Sequence, residues 1–218
     1  MEMITTFTPK AELIELIKER GTVDRGRDIV LSDGSTTRTY LDIKNVLDTG
    51  KRLNLAAKAL IAHVLDTLGS GELARCSAIG GPTMGADGLA HVVVSLLGDD
   101  TAWFAIRDRV KTDHGMGKWI EGAELTSSDH VIITDDVANA GKSLVDAVAK
   151  VRATGATVAA VMPLVDRAGV ARAKVEALGI LYQPLVTHED LGLPRLGDST
   201  PPAPCAGTPQ RAGCPAPT

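Results

Sequence analysis

Two adjacent carboxylates, Asp135 and Asp136, directly follow a short apolar run at residues 130–134. A loop of small residues at 138–141 comes next, and Ser143 begins a predicted helix. Small residues let backbone N–H groups close around a phosphate, and the positive end of the helix dipole favours the same anion. A plainer interpretation is a strand that ends in two solvated aspartates. The apolar run before the pair and the small-residue loop after it together favour a sugar-phosphate site.

Strands and helices alternate on both sides of this segment. Apolar runs predict short strands at 76–79, 103–107, 130–134, 158–165 and 182–186. The predicted helices that follow strands lie at 89–97, 143–153 and 168–178. Strands that alternate with helices of about 10 to 15 residues form a parallel sheet with helices on both faces. The predicted fold class is therefore α/β, an open and mainly parallel sheet flanked by helices, which binds ligands at the carboxyl ends of its strands.

The N-terminal part of the chain has a different pattern. Residues 11–20 place leucines and isoleucines at helical spacing, and residues 29–44 alternate as a β-hairpin does. A long amphipathic helix is predicted at 51–68. We therefore expect a small hairpin-containing hood at about residues 1–48, within a single domain that spans 1–193.

Composition narrows the class of protein. The chain has 218 residues, of which 44% are hydrophobic and 23% are charged, and its formal net charge is −4. A slightly acidic balance without a long basic run argues against a nucleic-acid partner. The N-terminal residues are charged throughout and do not resemble a signal peptide, and no apolar run approaches the ~18–20 residues of a membrane span. We expect a soluble, cytoplasmic protein that has no membrane partner.

The C-terminal segment, Pro194 to Thr218, is unlike the rest of the chain. It holds seven of the eleven prolines and almost no large apolar residues. Such a segment cannot bury enough surface to offset the entropy of ordering it. The sequence therefore predicts a disordered tail at 194–218, and we expect its deletion to leave activity nearly intact.

The carboxylate segment resembles the phosphoribosyl pyrophosphate signature of type I phosphoribosyltransferases, which has an apolar strand, two acidic residues and a threonine- and glycine-rich loop. The resemblance implies that Asp135 and Asp136 hold the ribose hydroxyls and that Val137 to Ser143 cradle the 5-phosphate. Asn139 replaces a usual threonine, and Lys142 replaces a usual small residue. The residues implied to bind phosphoribosyl pyrophosphate are Lys44, Arg107, Arg109, Lys111, His114, Asp135, Asp136, Val137, Ala138, Asn139, Ala140, Gly141, Lys142 and Ser143.

Other stretches are similar to orotate phosphoribosyltransferase in particular. Residues 104–122 (FAIRDRVKTDHGMGKWIEG) resemble its mobile catalytic loop, and 80–87 (GGPTMGAD) resemble the loop that meets pyrophosphate. The hairpin resembles the part that packs beside the base, and 164–170 (LVDRAGV) place an arginine where the family binds the orotate carboxylate. The resemblance covers about residues 11 to 191 and implies an orotate site formed by Tyr40, Asn139 and Arg167.

The implied reaction joins orotate to phosphoribosyl pyrophosphate and yields orotidine 5′-monophosphate and pyrophosphate, a step of pyrimidine biosynthesis. Lys111, His114 and Asp136 are the implied catalytic residues. The implied cofactor is Mg²⁺, held through the substrate near Asp135 and Asp136. The family also implies a homodimer with shared active sites.

Three alternatives stay open on sequence grounds. A sister transferase that takes another base is favoured by Asn139 and by Arg38, which departs from a common proline. A non-catalytic regulator could use the phosphoribosyl pyrophosphate site as a sensor, but it would need a basic surface to bind nucleic acid. A plain nucleotide-binding α/β domain would leave the cationic loop without a role.

The carboxylate pair provides a direct test of the predicted site. Replacing both Asp135 and Asp136 with asparagine is expected to largely abolish binding of phosphoribosyl pyrophosphate while the fold survives. Calorimetry measures the affinity, and circular dichroism checks the fold. An unchanged affinity in a folded double variant would contradict the assignment.

Overall fold

The computed structural model describes residues 8–30, 36–98, 100–109 and 118–195. Its helices are α1 (Pro9–Arg20), α2 (Ile43–Val46), α3 (Gly50–Arg75), α4 (Asp87–Leu97), α5 (Lys142–Arg152) and α6 (Ala171–Glu176). Its strands are β1 (Thr22–Val30), β2 (Thr36–Leu41), β3 (Ala78–Pro82), β4 (Ala102–Ile106), β5 (Ile120–Gly122), β6 (His130–Ile133), β7 (Val137–Ala138), β8 (Thr157–Val161), β9 (Val165–Asp166), β10 (Leu181–Tyr182) and β11 (Val186–Thr187).

The main sheet has six strands in the order β10-β8-β6-β3-β4-β5. Every neighbouring pair in it is parallel except β4 and β5, which are antiparallel. This arrangement confirms the predicted α/β class with a mainly parallel sheet.

Helices cover both faces of this sheet because alternate side chains of each buried strand point to opposite sides. Ile79 and Ile132 lie in one apolar cluster with residues of α1, α3 and α4. Their strand neighbours Ala78 and Val131 lie in a second cluster with residues of α5 and α6. Because helices cover both faces of the sheet, its polar side chains lie mainly at the ends of the strands.

Three of the parallel strands break at their carboxyl ends and then continue. β7, β9 and β11 form a small parallel sheet in the order β11-β9-β7, each one following a strand of the main sheet. Hydrogen bonds bridge the breaks, since Leu164 N–H donates to the Asp135 carbonyl at 2.8 Å and Val186 N–H donates to the Leu164 carbonyl at 2.9 Å. The runs predicted as single strands at 158–165 and 182–186 are therefore each two strands.

Other element boundaries also differ from the sequence prediction. The helix predicted at 51–68 resumes after Gly69, whose φ of 81° and ψ of 164° interrupt it, and then ends at Arg75. The helix predicted at 168–178 begins only at Ala171, because the Asp166 carboxylate accepts the Ala168 and Gly169 N–H groups and holds a turn there. The end of the predicted loop at 107–122 forms β5, which pairs with β4.

The N-terminal hairpin pairs β1 with β2 in antiparallel register from Thr22 opposite Leu41 onward. Asp42 then caps α2 by accepting the Asn45 N–H at 3.1 Å. Buried residues of α1 and α2 join the same apolar cluster as α3, which ties the hairpin to the sheet. The turn of this hairpin, which the sequence predicts at Asp33 and Gly34, lies outside the described residues.

The chain ends differ in how much is described. Residues 1–7 and 196–218 lie outside the described part, whereas Pro194 and Arg195, placed in the predicted tail, lie inside it. None of the described helices combines the length and the apolar character needed to cross a membrane.

Candidate active site

Asp135 and Asp136 lie at the break between β6 and β7, and both are buried, with 5% and 9% of their surface exposed. Asp135 Oδ1 accepts the Asp136 N–H at 2.9 Å, and Asp136 Oδ1 accepts the Val137 N–H at 2.8 Å. Thr134 secures the break by donating its hydroxyl to the Met162 carbonyl at 2.9 Å. Local hydrogen bonds thus hold two carboxylates side by side at the end of an apolar strand.

The two carboxylates have different electrostatic surroundings. Burial, and then the negative charge of Asp136, raise the pKa of Asp135 well above its ordinary value. Asp136 instead forms an ion pair with Lys44 from α2. Partial burial lowers the pKa of Lys44, but the hydrogen bond and charge of Asp136 outweigh it and leave that pKa raised. The hairpin region therefore supplies the cation that balances one of the two carboxylates.

Gly85, in the turn between β3 and α4, lies directly against both carboxylates. A Cβ atom at this position would be 2.1 Å from Asp135 Oδ1 and 2.6 Å from Asp136 Oδ1. Any side chain would therefore collide with the pair. The sequence identified the glycine-rich segment 80–87, but only the folded chain shows that Gly85 in particular belongs to the carboxylate site.

The small-residue loop forms the start of α5. The backbone N–H groups of Asn139 to Ser143 have no hydrogen-bond acceptor within the described part of the chain, as is usual for the first turn of a helix. Gly141 has a φ of +74°, and a Cβ atom there would lie 2.8 Å from Ala171 Cα. Lys174 donates to the Ala140 carbonyl at 2.6 Å and holds the loop from α6. The loop is thus shaped by α6 and keeps several N–H donors for an anion.

A cavity of about 170 Å³ connects the hairpin region with the carboxylate strand. It is smaller than the ~300–1,000 Å³ typical of drug-sized ligands, so it suits part of a small substrate. It brings together the predicted site residues Tyr40, Lys44, Asp136, Val137, Asn139 and Arg167. The other lining residues are Thr37, Thr39, Leu41, Asp42 and Ile43.

Arg167 follows β9 and is 3% exposed, although it lines the cavity. Its backbone N–H donates to the Ala138 carbonyl at 2.9 Å, which joins it to the small-residue loop at 138–141. Its guanidinium Nη1 donates to the Pro194 carbonyl. Burial lowers the pKa of Arg167 below its ordinary value, but an arginine remains charged at neutral pH.

The cationic loop is only partly described. Arg107 Nε donates to Glu121 Oε1 at 2.7 Å, so this predicted phosphate ligand is paired within the base of the loop, and Lys150 donates to the Arg107 carbonyl at 2.8 Å. Arg109 is exposed. Lys111 and His114 lie outside the described residues. Their predicted roles therefore stay predictions.

Of the remaining predicted phosphate ligands, Ala138 and Gly141 are buried, and Lys142 and Ser143 are exposed on the first turn of α5. In the described ranges, no three His, Cys, Asp or Glu side chains lie close enough to hold a metal ion.

The two ends of β6 provide opposite predictions for stability. The pKa of Asp135 is higher in the folded chain than its ordinary value of about 3.9. The free energy of unfolding therefore falls as the pH rises from about 3.9 to the raised pKa, because the unfolded chain loses this proton first. Asp135→Asn keeps an oxygen for the Asp136 N–H and removes the charge. It should raise the Tm of the ligand-free protein by about 2 °C or more at pH 7.5, and the gain should vanish near pH 4.

Asp129, at the other end of β6, is the matched control. Although desolvation acts to raise its pKa, hydrogen bonds from Thr126 and Ser77 lower it overall. Its charge therefore adds stability above its ordinary pKa, and Asp129→Asn should lower the Tm at pH 7.5. Differential scanning calorimetry measures both variants, and a destabilised Asp135→Asn would contradict the proposed cost of that buried charge.

The sequence and the fold of the chain are both similar to those of known proteins. The chain is 35% identical over 184 residues to orotate phosphoribosyltransferase from Corynebacterium glutamicum (strain R), a match that covers 84% of this chain and 94% of that protein. Its fold resembles the crystal structure of Mycobacterium tuberculosis H37Rv orotate phosphoribosyltransferase in complex with Fe(III) dicitrate, with a TM-score of 0.70, 30% identity, and coverage of 85% of this chain and 100% of that one.

A second crystal structure of the M. tuberculosis enzyme, in complex with 5-phospho-alpha-D-ribosyl 1-diphosphate, matches with a TM-score of 0.68, 28% identity, and coverage of 85% of this chain and 100% of that one. No protein-family model matches the chain. The alignment with the C. glutamicum enzyme covers most of both proteins. This agreement in sequence and fold shows that the chain belongs to the orotate phosphoribosyltransferase family.

Proposed function

We propose that the chain is an orotate phosphoribosyltransferase, which joins orotate to phosphoribosyl pyrophosphate and releases pyrophosphate in pyrimidine biosynthesis. The single observation that carries the proposal is the shared cavity. Asp136 and Asn139, expected on the phosphoribosyl side, line the same space as Tyr40 and Arg167, expected on the base side. Two substrates that must react with each other need such a common space.

The phosphoribosyl group would be held from two directions. The carboxylates of Asp135 and Asp136 accept hydrogen bonds from the ribose hydroxyls, and the N–H donors from Asn139 to Ser143 bind the 5-phosphate at the positive end of α5. Lys142, exposed on the first turn, adds a positive charge to this anion site. Fixing the ribose at both ends would place its anomeric carbon towards the base, which lowers the entropic cost of reaction.

The base would be oriented by its carboxylate. Arg167 can donate two parallel hydrogen bonds to a carboxylate, whereas a point charge such as lysine cannot match that planar geometry. Tyr40 lies on the hairpin side of the same cavity, where it can pack beside the ring. A ring nitrogen of orotate would then attack the anomeric carbon as the bond to pyrophosphate breaks.

The departing pyrophosphate carries the charge that catalysis must stabilise. Lys111 and His114, from the cationic loop, are proposed to neutralise it in the transition state, and closure of that loop would keep water from the sugar cation. Asp136 acts on the opposite side by holding the ribose. No residue of the chain needs to form a covalent intermediate.

Magnesium is proposed as the cofactor and would reach the site with the substrate. Asp135 and Asp136 would supply protein oxygens near the ion, and Asp136 lines the cavity. Lys44 already balances the charge of Asp136, which fits an ion that would be held mostly by substrate oxygens. When bound, the ion supplies positive charge to the pyrophosphate leaving group.

The proposed activity is tested by following orotate absorbance after addition of phosphoribosyl pyrophosphate and Mg²⁺. The wild-type chain should consume orotate only when both are present and should not use uracil, which lacks the carboxylate. Arg167→Ala should lower kcat/KM for orotate by about 10- to 100-fold, as expected for a lost hydrogen bond to a charged group. Arg75→Ala, which removes an exposed arginine paired with Glu72, is the control and should behave as wild type.

We also propose a symmetric homodimer in which the loop of each subunit serves the neighbouring active site. Two inactive variants, Lys111→Ala and Asp136→Asn, should then complement each other after subunit exchange. One site of the mixed dimer receives an intact loop and an intact carboxylate pair, and the other carries both defects. Activity of each mixed dimer should approach half of wild type, whereas no recovery after verified exchange would mean that each loop serves its own chain.

A further inference from the structure

Arg167, the proposed ligand of the base carboxylate, also forms a hydrogen bond outside the proposed base site. Its Nη1 donates to the carbonyl of Pro194, 27 residues further along the chain. Its Nε is buried and has no hydrogen-bond partner among the residues that the structure describes. A buried donor without a hydrogen-bond partner destabilises the protein unless a ligand supplies the acceptor. The guanidinium is therefore held on one side and unsatisfied on the other.

The Pro194 carbonyl is placed by an ordered turn and not by a loose chain end. Asp190 Oδ2 accepts the Thr187 N–H at 2.9 Å, and the Leu193 N–H donates to the His188 carbonyl at 2.9 Å. Leu191 is 6% exposed and belongs to the apolar core. This turn, residues 187–193, fixes the position from which the chain continues to Pro194.

Arg195, the next residue of the same segment, also lies close to the Arg167 turn. Gly169 has a φ of +67°, and a Cβ atom there would lie 2.7 Å from Nη2 of Arg195. The Asp166 carboxylate fixes this turn by accepting the Gly169 N–H at 2.7 Å. Pro194 and Arg195 therefore both contact residues just after β9.

We propose that the Pro194 carbonyl is a positioning group for base recognition, which holds Nη1 of Arg167 so that the edge formed by Nε and Nη2 is presented to the carboxylate of the base. This inference rests on the proposed function of Arg167. An arginine that is held before binding loses less side-chain entropy on binding, so the carboxylate binds more tightly. The functional chain then extends to Arg195, and deletion from Pro194 onward, expected from the sequence to be harmless, weakens orotate binding.

Two truncations that differ by two residues test the proposal. A chain that ends at Arg195 keeps the contact, and its KM for orotate should equal that of the full chain. A chain that ends at Leu193 should have a KM for orotate raised by about 10-fold, the scale of one hydrogen bond to a charged group. The KM for phosphoribosyl pyrophosphate should stay within about twofold, because general unfolding or loss of the phosphate site would change both constants.

Because the shorter chain has a new terminal carboxylate near Arg167, a second variant keeps the length. Pro194→Gly in the full chain loosens the backbone at this position, keeps the Arg195 charge and adds no carboxylate, and it should raise the orotate KM in the same direction. Both changes should lose most of their effect in an Arg167→Lys background, since a group that acts through Arg167 cannot act without its guanidinium.

The outcomes separate this inference from the proposed function. A full chain that does not use orotate overturns the proposed activity itself. Equal orotate KM values for the chains ending at Arg195 and Leu193, in an active protein, overturn only the positioning role of Pro194. A lower KM in the shorter chain would mean that the carbonyl competes with the base carboxylate, which also overturns it. An undiminished effect in the Arg167→Lys background would place the cause elsewhere.

Discussion

A pair of buried carboxylates at a strand break is the constraint around which this protein is arranged. Asp135 and Asp136 are adjacent and almost fully buried, and burial together with the charge of Asp136 raises the pKa of Asp135. Burial of charged groups is costly, and such groups are concentrated at functional sites. The surrounding structure limits its cost through Lys44, through local backbone donors and through Gly85, which leaves space for the carboxylate oxygens.

The breaks in the parallel strands bring the carboxylate pair and Arg167 to the same edge of the sheet. The carboxylates lie between β6 and β7, while Arg167 follows β9, the continuation of the next strand, β8. Hydrogen bonds carry the pairing across each break, so the polar residues remain in fixed register. The rigid sheet therefore sets the distance between the carboxylate pair and Arg167, and the hairpin and loops complete the walls.

Several residues that contact the candidate site come from very short helices or from the end of the described chain. Lys44 belongs to a four-residue helix, Lys174 to a six-residue helix, and Pro194 to the end of the described chain. Each makes a polar contact with a group at the strand ends. Short peripheral elements thus contribute an ion pair and hydrogen bonds to groups at the ends of the strands.

Local sequence patterns were sufficient to predict the fold class and several segments of the candidate site. The α/β class, the carboxylate pair after an apolar strand and the small-residue loop were all predictable, because strand periodicity, helix termini and glycine-rich turns depend on neighbouring residues. The family resemblance carried by these motifs was confirmed as well. Within the described residues, six predicted site residues line one cavity, whereas Arg107 is paired with Glu121 at the base of its loop.

Only the tertiary structure decided the strand breaks, the contact of Gly85 with both carboxylates, and the pairs formed by Lys44 with Asp136 and by Arg167 with Pro194. These pairs join residues 92 and 27 positions apart in the chain. A local pattern cannot encode such contacts, because their energies depend on burial and on distances that exist only after the sheet has formed. The Pro/Gly-rich composition predicted that the disordered tail begins at Pro194. In the folded chain the carbonyl of that residue instead accepts a hydrogen bond from Arg167, a long-range contact that composition does not encode.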